Sequence, residues 1–148
     1  MPGNLPRRRA PSGNWNDLSI VNVSIVDIIG SVKTRPEDLM PLQPAVFHIL
    51  VSLANGDRHG YAIIQDVAAR TDGEVKLGPG TLYRSIQRML ELDLIAETET
   101  RPDPDADDER RRYYRITPFG RQVARAEAER LSALVALARA TGLLSRKA

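Results

Sequence analysis

The spacing of apolar and polar positions changes character near residue 40. Residues 1–17 are rich in Pro, Gly, Asn and Arg and have no apolar period, which is typical of a disordered segment. Residues 18–32 are apolar and β-branched, and their spacing fits either a weak helix or a strand that docks on another surface, such as a dimer partner. Residues 34–40 are predicted to be a linker. We therefore expect an N-terminal extension over residues 1–41, with Met40 as a hypothetical alternative translation start.

Two short helices are predicted after this extension. Pro44 suits the first turn of a helix, because proline lacks the N–H that a helix start leaves unpaired. The apolar face of the first helix consists of Val46, Ile49, Leu50 and Leu53. A turn at residues 55–57 separates it from a second helix over residues 60–69. The predicted buried face of that helix consists of Tyr61, Ile64, Val67 and Ala68.

A third helix is predicted to begin at the turn of residues 78–81, after a connector at 71–77 that has room for a short strand at 75–77. The helix is amphipathic. Its apolar face consists of Leu82, Ile86, Met89 and Leu90, and its polar face of Arg84, Gln87, Arg88 and Glu91.

The remaining pattern predicts a β-hairpin followed by a long helix. Apolar and polar residues alternate over 94–100 and again over 112–117, with a polar loop at 102–109 between them. Pro118 then begins a fourth helix that extends to about residue 141. The fold class is therefore mainly α with a β-hairpin wing (α+β). We expect a winged helix-turn-helix over 42–117, whose third helix enters the DNA major groove, and a dimerisation helix and tail over 118–148.

Four sequence blocks resemble the PadR family of transcriptional regulators. They are HGYAI at 59–63, GPGTLY at 78–83, LELDLI at 90–95 and RRYYRITPFG at 111–120, in the order and at the spacing of that family. The resemblance implies a homodimer, usually a repressor, in which a C-terminal helix forms much of the dimer interface. The short C-terminal portion resembles the smaller subtype of the family. The N-terminal extension and an acidic wing tip depart from the family pattern.

The charge pattern and the third helix supply the candidate DNA contacts. The formal net charge is only +2, but acids crowd residues 103–109 and arginines occupy 110–112 directly afterwards. On the third helix, Arg84 and Arg88 can read guanine, Gln87 can read adenine, and the hydroxyls of Thr81 and Tyr83 suit phosphate oxygens. The alternative interpretation of these residues is a solvated outer face.

Two further groups are candidates for contacts with the DNA backbone. His59 fits a helix cap better than a phosphate contact, while Tyr61 can place its ring on the core and its hydroxyl on a phosphate. Arg110, Arg111 and Arg112 lie at the base of the wing. They can contact phosphates or the minor groove, or pair internally with the acids at 107–109. Because side chains alternate along a strand, all three cannot face DNA.

The last helix carries an amphipathic stripe for which the small domain offers no cover. The predicted dimer interface consists of Val123, Leu131, Leu134, Val135 and Ala138. Two copies would place their recognition helices about one DNA turn apart, on a pseudo-palindromic operator. An effector of unknown identity, if one exists, would bind between the dimerisation helices and the winged domains.

Other functions lack the residues they need. The chain has no cysteine, His48 has no second ligand at helical spacing, and the acidic loop lacks the glycine and the final glutamate of a calcium site. There is no nucleophile–base pair and no phosphate-binding loop, so we expect neither an enzyme nor a cofactor or metal. No membrane span or export signal is expected, which places the protein in the cytoplasm. A winged-helix protein–protein module without DNA binding remains the alternative, slightly favoured by the acidic wing tip.

Overall fold

The computed structural model describes residues 34–99 and 111–145. The elements are a 3₁₀ helix at Pro36–Leu39, α1 (Pro44–Leu53), β1 (Arg58–His59), α2 (Gly60–Arg70), α3 (Pro79–Glu91), β2 (Ile95–Thr98), β3 (Tyr113–Ile116) and α4 (Pro118–Ala140). This order confirms a mainly helical fold with a hairpin wing and a long C-terminal helix. The interpretations of residues 1–33, of the acidic wing tip and of Arg110 lie outside the described residues.

The core lies where α1, α2 and α3 meet the small sheet. The predicted face of α1 is buried as expected, and α3 buries Leu82, Ile86 and Met89 through its i, i+4, i+7 spacing. The predicted face of α2 is partly wrong. Ile63 and Val67 are its fully buried apolar residues, whereas the side chain of Tyr61 is 60% exposed. The buried residues of α2 therefore lie on a different side of the helix from Tyr61, and the ring of Tyr61 does not join the core.

The sheet has three antiparallel strands in the order β1-β3-β2. In the hairpin Ile95 lies opposite Ile116, and β1 adds Arg58 opposite Tyr114 on the other edge of β3. The sequence pattern missed β1, because a two-residue strand has no period to detect. The predicted strand at 75–77 is wrong: these residues have no regular structure. Their apolar side chains pack on the core instead, with Leu77 buried and Val75 beside it.

The segment predicted as a linker carries structure of its own. Pro36–Leu39 form a 3₁₀ helix, and the Asp38 carboxylate accepts a hydrogen bond of 3.1 Å from the backbone N–H of Arg35. Leu39 and Met40 pack against the core. The prediction that residues 34–40 form a linker is therefore wrong. A single 3₁₀ turn is too short to show helical periodicity, and its first turn is acidic rather than apolar.

The junction between the wing and α4 is tightly hydrogen-bonded. The hydroxyl of Thr117 accepts from the N–H of Gly120 (2.9 Å), which caps α4, and donates to the carbonyl of Asp93 (2.6 Å). One side chain therefore fixes both the start of α4 and the turn that leads into β2. In the part of the chain that the structure describes, no helix is both long enough and apolar enough to cross a bilayer.

Candidate DNA-binding surface

The polar face of α3 is open to solvent along its length. Gly78 precedes the helix in an extended conformation and Pro79 occupies its first turn, which suits a helix that begins abruptly from a loop. The exposed side chains are Thr81, Tyr83, Arg84, Gln87 and Arg88. Arg88 lies 3.6 Å from Glu91 on the same face, an exposed i,i+3 pair that is worth little in water. The helix thus presents donors of the kinds that read guanine and adenine.

Beside this helix lies a cleft of 470 Å³. The cleft is bounded by α3, by the N-terminus of α2 and by the base of the wing. Its polar lining includes His59, Tyr61, Tyr83, Gln87, Arg111 and Arg112. The fold therefore brings together three groups of predicted contact residues that are far apart in the sequence. Thr81, Arg84 and Arg88 lie on the exposed face of α3 outside the lining of this cleft.

His59 caps α2, as the sequence interpretation favoured. Its Nδ1 atom accepts a hydrogen bond of 3.1 Å from the backbone N–H of Ala62. Its ring stacks edge-on against Tyr113, with the ring centres 5.4 Å apart. The other ring nitrogen, Nε2, faces the wing and lies 3.1 Å from the guanidinium of Arg111. The histidine is therefore held by the helix on one side and meets the wing on the other.

A pair of opposite charges lies at the base of the wing. Arg112 lies 3.2 Å from the Glu97 carboxylate of the adjoining strand. Burial raises the pKa of Tyr114, the cross-strand neighbour of Glu97, and the negative charge of Glu97 raises it further. Arg111 and Arg112 line the same cleft although they are consecutive. Both precede Tyr113, the first residue of β3, so the alternation of side chains along a strand does not apply to them. Glu97 was not among the predicted site residues, because its proximity to Arg112 becomes evident only when β2 is paired with β3.

Salt bridges fix the short strand β1, and with it His59, against the rest of the domain. Arg115 of β3 binds both carboxylate oxygens of Asp57, at 2.7 Å for the closest contact. This hydrogen bonding raises the pKa of Arg115. On α2, burial alone would raise the pKa of Asp66, but the hydrogen bond from Arg70 and the nearby Arg58 hold it below its ordinary value. These pairs position the start of α2, and sequence reasoning did not find them.

The second half of α4 carries an apolar stripe that is exposed in the part of the chain that the structure describes. Leu131, Leu134 and Val135 are 36%, 50% and 39% exposed, and Ala138 is half-buried next to them. Val123 is different, because it is fully enclosed by the domain's own core and has no surface to offer a partner. We therefore correct its assignment from the dimer interface to the core. Over residues 34–99 and 111–145, no three acidic or histidine side chains gather as a metal site would require.

Comparison with known proteins gives the class of this fold. Residues 49–126, more than half of the chain, match the PadR-like family of transcriptional regulators, and the chain belongs to that family. Its members are transcriptional regulators rather than enzymes, and they bind DNA through a winged helix. The matched region runs from the middle of α1 to the first half of α4.

The individual relatives agree with this assignment. The chain is 34% identical over 73 residues to protein X of Lysinibacillus sphaericus, covering 49% of this chain and 64% of that protein. It is 33% identical over 86 residues to a 37.1 kDa protein of a Streptomyces fradiae transposon, covering 58% of this chain and 22% of that protein. The chain thus spans less than two thirds of the length of either relative.

The matches to solved structures cover more of the other protein's length than the matches to these two relatives do. A transcriptional regulator from Clostridium thermocellum has 27% identity and a TM-score of 0.54, over 64% of this chain and 86% of its own. A PadR family regulator from Clostridium difficile has 22% identity and a TM-score of 0.56, over 67% and 98% of the two chains. The second likeness, at this low identity, concerns the fold alone.

Proposed function

We propose that this chain is a sequence-specific transcriptional regulator that binds a pseudo-palindromic operator as a homodimer and acts as a repressor. One observation carries the proposal. The exposed face of α3 presents base-reading side chains directly beside a cleft whose walls hold the donors of α2 and of the wing base. A recognition helix with donors of a neighbouring helix and of the wing beside it is the arrangement that a winged helix uses in the major groove.

The proposed contacts divide into two kinds. Arg84, Gln87 and Arg88 are the proposed base-reading residues, because their side chains can make paired hydrogen bonds to guanine or adenine. The backbone contacts are proposed for the hydroxyl, imidazole and guanidinium groups around the cleft, which can fix the register of the protein on the duplex. Those that line the cleft are His59, Tyr61, Tyr83, Arg111 and Arg112. Thr81, on the exposed face of α3 outside the cleft, and Arg110, which precedes Arg111 in the chain, complete the proposed set.

A second copy of the chain is the proposed cover of the apolar stripe on α4. The first half of α4 is anchored in the core through Val123 and Glu127, so the helix leaves the domain as a rigid continuation. Its second half exposes Leu131, Leu134 and Val135 on one side, with small alanines between them that permit close approach of helices. We therefore propose residues 42–117 as the DNA-binding unit and 118–148 as the dimerisation element. A small-molecule effector, if one exists, would bind between these parts, and the proposed location is the cytoplasm.

The test is binding of purified protein to random-sequence and promoter-derived duplexes at two salt concentrations. We expect salt-sensitive binding that selects among promoter fragments. Arg84→Ala should weaken selective binding by about 10- to 100-fold, because a bidentate contact discriminates bases by about 1–3 kcal/mol. Arg125→Ala removes the same charge from an exposed site on α4 instead of α3 and is the matched control. If the wild type binds no duplex even at low salt, the protein–protein alternative would replace this proposal.

A further inference from the structure

Glu97 gives the cleft beside α3 a negative charge, which the phosphates of a DNA backbone do not favour. Its side chain lines the cleft and is 48% exposed, so the charge faces any molecule that enters. The carboxylate accepts a hydrogen bond of 3.2 Å from Arg112, and an ionised carboxylate has sites for further donors. A ligand that suits Glu97 therefore carries hydroxyl or N–H donors of its own.

A second polar group lies on the floor of the cleft. Tyr114 is the cross-strand partner of Glu97, so the two side chains are on the same face of the sheet. The residue is only 4% exposed, and its hydroxyl has no hydrogen-bond partner among the residues that the structure describes. Within those residues the fully enclosed side-chain oxygen without a partner is that of Ser52, so the Tyr114 hydroxyl is accessible from the cleft. A hydroxyl in such a place requires a partner that enters the cleft.

The wall that α3 contributes to the cleft suits a flat heteroaromatic ring. Tyr83 and Gln87 are one helical turn apart, and Ile86 and Leu90 line the cleft beside them. An aromatic ring next to apolar side chains is a surface on which a nucleic-acid base can stack. The exposed Gln87 amide can make paired hydrogen bonds to adenine.

We propose that the cleft binds an adenine ribonucleotide. The base lies on α3 with its edge on the Gln87 amide, and the ribose hydroxyls bind Glu97 and Tyr114. A carboxylate is a suitable acceptor for ribose hydroxyls, and the 2′-hydroxyl distinguishes a ribonucleotide from the units of DNA. Arg112, which already lies beside Glu97, binds the phosphate next to the sugar. The cleft volume of 470 Å³ is within the range of about 300–1,000 Å³ for small-molecule sites.

This site overlaps the proposed DNA-binding surface, so the nucleotide and the duplex exclude each other. Gln87 is the shared residue, because it is also a proposed base-reading side chain for DNA. Binding of the nucleotide does not depend on the proposed function, but its regulatory effect rests on it: the ribonucleotide releases the protein from DNA. The site lies within residues 42–117 and is distinct from an effector site next to the dimerisation element.

Isothermal titration calorimetry of the full chain tests the ribose contact. The probes are adenosine 5′-monophosphate and its 2′-deoxy form, which differ by one hydroxyl. We expect the wild type to prefer the ribonucleotide by about 10- to 30-fold, because the deoxy form loses a hydrogen bond to a charged acceptor. In Glu97→Gln the preference should fall to about threefold or less, since the amide oxygen is uncharged. Glu129→Gln, exposed on α4, is the matched control and should keep the wild-type preference.

The ratio of the two affinities is the quantity to compare, because removing the charge of Glu97 also changes the affinity for any phosphate. Both probes carry the same phosphate, so that change cancels in the ratio. Binding of the deoxy form by Glu97→Gln also shows that the variant is folded.

A second variant tests the base contact. Gln87→Ala should lose the preference for adenosine over inosine 5′-monophosphate, in which a carbonyl replaces the exocyclic amine that the amide oxygen accepts from. Gln122→Ala removes the same side chain from an exposed position of α4 and should keep the preference.

Displacement of a labelled random-sequence duplex from the wild type completes the test. We expect the ribonucleotide to displace the duplex at concentrations where the deoxy form has little effect. A chain that binds neither nucleotide, or both equally, overturns the inference, and so does a ribose preference that persists in Glu97→Gln. Nucleotide binding that leaves the duplex in place overturns the competition. If the nucleotides bind as expected but the wild type binds no duplex, the nucleotide site stands and the proposed function falls.

Discussion

Gly120 lies where α4 comes closest to the backbone that leads into β2. A Cβ at this position would collide with the carbonyl oxygen of Leu94 and approach the carbonyl carbon to 2.9 Å and the Ile116 side chain to 3.0 Å. The obstacle is mainly backbone, held by the Thr117 hydrogen bonds, so it cannot move aside as a flexible side chain would. A residue without a side chain is required here for steric reasons.

The first prediction concerns this contact. Gly120→Ala should lower the free energy of unfolding by about 3 kcal/mol, because the overpacked site must shift α4 or the turn before β2. Urea unfolding followed by circular dichroism measures the change. Gly80→Ala is the matched control: nothing lies within 4 Å of its added Cβ, and alanine favours the helix. Equal stability of Gly120→Ala and wild type would contradict the close approach.

A second residue-scale prediction concerns the turn after α3. Asp93 has a backbone φ of 58°, in the left-handed region that glycine adopts without strain. Its carboxylate also lies at the C-terminus of a helix, where negative charge is unfavourable. Asp93→Gly should therefore raise the free energy of unfolding by about 1 kcal/mol. A lower unfolding midpoint for this variant would show that the aspartate stabilises the turn in a way that outweighs both effects.

At the scale of elements, the wing base combines attraction and repulsion toward DNA. Glu97 lies on β2 and pairs with Arg112, so it occupies a guanidinium that could contact phosphate and adds a negative charge to the lining of the cleft. Glu97→Gln should therefore tighten binding to a random-sequence duplex by about 3- to 10-fold at low salt. Glu129→Gln, exposed on α4, removes the same charge elsewhere and should change little. Weaker binding of Glu97→Gln would indicate instead that the carboxylate accepts from a base.

Glu127 joins α4 to the segment before α1. Its carboxylate is almost fully buried and accepts from Arg130 (2.7 Å) and from the backbone N–H of Leu42. The hydrogen bond from Arg130 lowers the pKa of Glu127 below its ordinary value of 4.5, despite the opposing effect of burial. Because the folded-state pKa is the lower one, the stabilisation is fully present above pH 4.5 and disappears as the pH falls through the folded value.

The second element-scale prediction follows from the direction of this pKa shift. Glu127→Gln should lower the free energy of unfolding by about 1–2 kcal/mol at neutral pH, since the amide keeps one acceptor and loses the charge. Between about pH 6 and about pH 3 the variant should then lose less stability than the wild type. Urea midpoints across this range measure the difference. If the stability of the two proteins falls equally with pH over this range, the Glu127 carboxyl group is not responsible for the loss of stability.

The elements show what the sequence could reveal. The helices and the hairpin have several residues of periodic pattern, and the faces of α1 and α3 follow from spacing alone. β1 and the pairing of Glu97 with Arg112 depend on contacts between residues that are distant in the chain, and the 3₁₀ helix is a single turn that is too short to show a period. The exposure of Tyr61 was missed for a similar reason. A tyrosine in an apolar pattern predicts burial, and only the packing of α2 on its neighbours decides which stripe turns inward.

At the scale of the whole described molecule, α4 has two halves with different environments. The first half completes the core of the winged domain through Val123, and its Glu127 accepts a hydrogen bond from the backbone of Leu42 in the segment before α1. The second half exposes the apolar stripe from Leu131 to Ala138. In the proposed dimer, a rigid helix that spans both parts would transmit any change in the interface directly to the position of α3. Operator spacing would then depend on how two copies of this helix pack.

The last prediction tests this arrangement. Leu134→Glu places a charge at a half-exposed position of the stripe, so burying it against a partner would be costly. We expect the variant to sediment as a monomer at concentrations where the wild type is a dimer, with its unfolding otherwise cooperative. Its affinity for a two-half-site duplex should fall by about 100-fold or more, while binding to a single half-site stays within about threefold, because only the linkage between sites is lost. Ala136→Glu puts the same charge on the opposite side of α4 and should remain dimeric. If Leu134→Glu remains a dimer, the stripe is not the interface, and another surface must pair the two recognition helices.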